Sequence, residues 1–101
     1  MADHRLTIAD QVMVNALANL LLYPRPGAED EQMMRAVLRD VLPDVSRSHP
    51  YIAPLAEVAD DLLEPGPHVS QFHAAGRLSD FFKWRAGEAY AAFRQARKGA
   101  A

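Results

Sequence analysis

Four carboxylates, Glu57, Asp60, Asp61 and Glu64, recur at i, i+3, i+4 and i+7, which lines them along one stripe of a helix. Such a stripe offers a cation site or a dock for basic groups, although its commoner use is a solvated face. Near the other end of the chain Lys83, Tyr90, Arg94 and Arg97 share a second stripe, with Trp84 beside it. Interaction hot spots favour Trp, Tyr and Arg. We therefore expect Lys83, Trp84, Tyr90, Arg94 and Arg97 to form a partner-binding surface.

Catalytic chemistry finds less support. His4, His49, His68 and His73 follow no metal-ligand spacing, and no Glu is followed three residues later by His, as carboxylate-bridged dimetal bundles require. His68 and His73 point to different sides of a helix. Asp61, Glu64, His68 and His73 would form an acid/base cluster only if the turn at 65–67 gathered them; capping or surface roles explain them more simply. There is no Gly-rich phosphate loop or nucleophile elbow, and no cysteine to act as nucleophile, thiolate ligand or disulfide partner. The expectation is a protein that docks rather than catalyses, with no metal and no cofactor.

Charge is divided along the chain. Residues 1–76 carry five Arg against eleven Asp and Glu, net −6, whereas residues 77–101 carry six Arg and Lys against two acids, net +4. A basic helix bearing Lys83, Arg94, Arg97 and Lys98 suits phosphates, which makes a nucleic-acid-binding regulator the alternative reading. The acidic remainder opposes it by repelling a polyanion. Residues 68–85 also trace a faint helix-turn-helix outline, with Gly76 at the turn, Ser79 near the start of the second helix and Phe82 facing inward. Phe72 occupies a place where that motif keeps a small residue, and the helix that follows is about twice the usual recognition length.

The elements that would position these residues are separated by Pro and Gly at 24–27, 43, 50, 54, 65–67 and 76. Between them apolar residues recur at helical spacing, and no segment reads as a strand. The pattern predicts an all-α, compact bundle of four main helices plus a short extra helix, in a single domain spanning residues 1–101. The helices are expected at about 7–22, 28–42, 54–64, 67–75 and 78–98. Thr7 to Asp10 resembles a capping box with the shorter acid, Glu29 to Glu31 suit a helix N-terminus, Pro54 suits a first turn, and Gly76 reads as a helix stop.

On the first helix Gln11, Asn15 and Asn19 form one narrow polar stripe, and nearly everything else is apolar. That excess argues for a homodimer seam on this helix or the C-terminal one, somewhat ahead of a central helix in a monomeric bundle. On the last helix Leu78, Phe81, Phe82, Ala86, Ala89, Ala92, Phe93 and Ala96 share an arc expected to complete the core. The run Ile8 to Leu22 is short of the ~20 apolar residues of a bilayer span and is interrupted by polar residues. Asp3 and those polar positions do not suit a signal peptide either. The expected product is a cytoplasmic regulatory or adaptor protein with a protein partner and no membrane.

Overall fold

The computed structural model describes residues 5–22, 27–64 and 71–100. Among them are four α-helices, α1 (Ile8–Leu21), α2 (Ala28–Val41), α3 (Ala53–Leu63) and α4 (Gln71–Ala100), with a 3-10 turn at Leu42–Asp44 and no strand. The all-α expectation holds.

The capping box read from residues 7–10 closes α1 at both of its bonds. The Asp10 N–H donates to Thr7 Oγ1 and the Thr7 N–H to Asp10 Oδ2, each at 3.0 Å. Two of the N–H groups left over at a helix start are thereby satisfied. α2 begins at Gly27 without a side-chain cap, and Glu29, Asp30 and Glu31 fill its first turn, where the helix dipole favours anions. α3 also lacks a side-chain cap. Its start is held instead by the preceding turn, in which the His49 carbonyl accepts from the N–H groups of Ile52 at 3.2 Å and Ala53 at 2.9 Å. Arg35 of α2 ties down its other end, donating to the Leu62 carbonyl, which has no partner within the helix.

α1 runs through the middle of the fold. Met13, Val14, Ala16 and Leu17 are buried against Leu38, Leu42, Leu55, Val58, Ala59, Leu78 and Phe81 from the elements around it. Its stripe of Gln11, Asn15 and Asn19 faces solvent. The apolar excess that pointed to a dimer seam on this helix is thus covered within one chain, apart from Ile8 and Leu22 at its two ends.

Two expectations fail on α4. Gly76 does not stop a helix: residues 71–100 form one helix through it, and the expected 67–75 and 78–98 helices are joined, with 67–70 outside the described residues. A single Gly inside a helix costs only about 1 kcal/mol, which continuous packing outweighs. The Leu/Phe/Ala arc does not complete the core either. Among the described side chains of α4 only Ala74, Leu78 and Phe81 are buried, and every residue from 85 to 99 is exposed. The reason lies in the row that faces the core, which continues at 85 and 88 as Arg85 and Glu88. Neither can be buried unpaired, so the helix leaves the body there. The molecule is accordingly extended rather than compact, measuring 54 × 28 × 22 Å with a radius of gyration of 15.3 Å, against about 13 Å for a compact domain of this length.

Candidate interaction surface

The five expected surface residues fall into two groups. Lys83 and Trp84 lie at the base of the free part of α4, whereas Tyr90, Arg94 and Arg97 lie along it. At 1.5 Å per residue, Lys83 and Arg97 stand roughly 21 Å apart along the axis.

Trp84 is half-buried, and its ring closes over the turn that leads into α3. It stacks on Tyr51, with ring centres 5.0 Å apart and planes 13° from parallel. It also meets His49 edge-on at 5.0 Å and leans on Phe81 at 5.6 Å. His49 is buried and structural: its Nδ1 accepts the Tyr51 N–H at 3.1 Å, holding the turn on which Trp84 rests. Pro50, Tyr51, Pro54, Arg77, Lys83 and Trp84 border an open cleft of about 570 Å³. Of this cluster only Lys83 and Trp84 were singled out from the sequence. His49 and Tyr51 precede them by more than thirty residues, and no helical period links the two pairs.

Along the free helix the cations pair with aromatic rings one turn back. The Arg94 guanidinium sits 5.9 Å from the centre of the Tyr90 ring, and that of Arg97 is 5.8 Å from Phe93. At exposed sites such contacts are worth about 0.5–1 kcal/mol and orient the side chain. Lys83, Arg85, Arg94, Arg97 and Lys98 are all exposed. The result is a bare, cationic helix studded with the exposed rings of Phe82, Tyr90 and Phe93.

The acidic stripe of α3 finds a counterion elsewhere. Arg47 reaches Asp60 with two hydrogen bonds, at 2.8 and 3.1 Å. Those bonds, ahead of the desolvation that opposes them, raise the proton affinity of the guanidinium above its ordinary value. Of the acid/base cluster imagined around the 65–67 turn, His68 lies outside the described residues. Among the described residues no group of three or more His, Cys, Asp or Glu is placed to hold a metal ion. None of the helices among them is long and apolar enough to cross a membrane.

Asp10 is fully buried although charged. Its Oδ1 accepts the Ser46 N–H at 2.7 Å while Oδ2 serves the capping box. Burial opposes its ionisation, but the hydrogen bonds from Ser46 and Thr7 together outweigh that, and its carboxyl lies below the ordinary aspartate range. These bonds are structural ones.

No family model matches this chain, and no similar curated protein or solved structure was found. The surface of α4 must therefore be read from its own chemistry.

Proposed function

We propose that this chain is a small regulatory or adaptor protein, acting in the cytoplasm, that binds another protein through Lys83, Trp84, Tyr90, Arg94 and Arg97. The observation that carries the reading is the exposure of every residue from 85 to 99 in a segment dense in Arg and aromatic side chains. These types supply most binding energy at protein interfaces because they combine a large contact area with directed hydrogen bonding. Arg94 and Arg97, already set over rings, present their guanidinium groups to carboxylates at a reduced entropic cost. The action is docking, with no covalent step.

Affinity capture from the native host, followed by mass spectrometry, identifies the partner. The Arg94→Glu/Arg97→Glu variant is expected to lose that partner at least 10-fold while keeping its fold, because both sites are exposed. Unchanged affinity for a partner verified with purified proteins would sink the assignment.

The exposure of Arg85, Arg94, Arg97 and Lys98 also favours a second reading, a nucleic-acid-binding regulator. It would work without a helix-turn-helix, because Gly76 lies within α4 and the turn that motif needs there is a helix. Fluorescence anisotropy with a labelled duplex decides it: binding must fall steeply with salt. Absence of binding at low salt rules it out.

A further inference from the structure

Along α4, Ala75, Ser79, Phe82, Ala86, Ala89, Phe93 and Ala96 recur at alternating intervals of four and three residues, the repeat of a two-helix seam. They form a row one residue step, about 100°, from the Ala74, Leu78 and Phe81 row that enters the core. This second row has no cover. Phe82 is 41% and Phe93 55% exposed, and the alanines between them face solvent. At its base the row opens into a largely apolar groove of about 450 Å³ that Leu22 of α1 helps to line. A helical segment of this length, interrupted by Gly87 and supported by no packing, is marginal on its own in water.

The order of residue sizes identifies what covers it. The row is a palindrome about the point between Gly87 and Glu88: Phe82 mirrors Phe93, Ala86 mirrors Ala89, and small Ser79 mirrors small Ala96. A two-fold axis through that point lays a second α4 antiparallel to the first. Each Phe82 then meets the other copy's Phe93, and the central alanines let the backbones approach closely. A two-fold interface must be self-complementary in this way; a foreign helix imposes no such symmetry.

Charge selects the same direction. Antiparallel pairing sets the basic tip of each α4 (Arg94, Arg97 and Lys98) beside the base of the other, where the acidic body (1–76, net −6) begins, whereas parallel pairing would align two basic tips. At the edges of the seam Lys83 comes beside the other copy's Tyr90, and Arg85 beside its Ala92, so no two cations face each other. The far end of each helix reaches the groove beside the other copy's Leu22.

We propose that a second copy of this chain covers this face, α4 pairing antiparallel with α4 through Phe82, Ala86, Ala89 and Phe93. The pairing leaves Arg94 of the basic stripe on the outer side, while Lys83 and Tyr90 flank the seam.

Two measurements test it. Light scattering across a concentration series is expected to give twice the 11.2 kDa chain mass, and the Ala86→Glu/Ala89→Glu variant is expected to dissociate about 100-fold more readily or worse, because it sets charges in the seam. The second leaves Phe82, Ala86, Ala89 and Phe93 unchanged and exploits the absence of cysteine. Chains carrying Ser79→Cys are mixed with differently tagged chains carrying Ala96→Cys and oxidised. Cross-links between the two kinds of chain support the antiparallel pair. Links only within each kind mean a parallel pair and overturn it, as does a monomer mass at high micromolar concentration. A monomer whose helicity rises on vesicles of anionic lipid would assign the face to a membrane surface instead, and would likewise overturn the proposal.

Discussion

Asp10 Oδ1 accepts the Ser46 N–H at 2.7 Å, joining the first turn of α1 to a segment 36 residues further along the chain. One buried carboxylate thereby caps a helix and anchors the loop between α2 and α3. Both roles need the charged form, which has acceptors on both oxygens and no proton to place.

Asp10→Asn is expected to lose about 1–3 kcal/mol at neutral pH, since its one carbonyl oxygen can serve only one of the two N–H groups of Thr7 and Ser46 and its NH2 would confront the other. The pH dependence has a definite sign. The folded carboxyl lies below its ordinary value, so its contribution is complete above about pH 4 and disappears as pH falls through the lower folded value. Urea titrations of both proteins between pH 2 and 7 should show the stability gap closing on the acid side. A gap that stays constant would mean that ionisation is irrelevant to the Asp10 bonds.

Trp84 is the single tryptophan, so its emission reports whether α4 is seated on the 49–54 turn. Tyr51→Ala should shift that emission to the red by opening one face of the indole to water. Trp84→Ala should cost about 2 kcal/mol, less than a core tryptophan because the ring is only half-buried. An unshifted Tyr51→Ala spectrum would contradict the stacking.

Gly76 and Gly87 are interior to α4, and a Cβ at either would meet nothing within 4 Å. Alanine at each should therefore stabilise, by about 0.5–1 kcal/mol. The gain from Gly76→Ala should appear in global unfolding, because Ala74 and Leu78 beside it are core residues. That from Gly87→Ala should appear as slower amide exchange in the exposed half. Destabilisation at Gly76 would show that the helix does bend there.

The Arg47–Asp60 pair is well formed but about half exposed on both sides. Arg47→Ala is expected to cost no more than about 1 kcal/mol in thermal unfolding, and less still in high salt. A loss of several kcal/mol would make this pair central to the placement of α3.

What could be read along the chain was whatever depends on near neighbours. Thr7 and Asp10 are three residues apart, and Pro54 is explained by the first turn of its own helix, so both were legible. The polar stripe of Gln11, Asn15 and Asn19 gave the outer side of α1 correctly for the same reason. Burial on α4 was not legible, because a helical period reveals which face is apolar and not whether another element reaches it. The Leu78/Phe81 row and the Phe82/Phe93 row look equally suited to a core. Only the arrangement of α1 and α3 around the first, with Arg85 and Glu88 next in its line, separates them. The candidate surface divided in a similar way: the basic stripe was visible as spacing, whereas the seating of Trp84 on His49 and Tyr51 depends on a turn more than thirty residues away.

The projecting half of α4 is also a lever. It is a rod of roughly 22 Å fixed at one end, where Trp84 rests on Tyr51, so a 10° tilt at that stack carries the tip through about 4 Å. Mechanical advantage runs both ways. A load applied at Arg94 or Arg97 would bear, over a shorter travel, on the ring of Trp84 and the turn that starts α3.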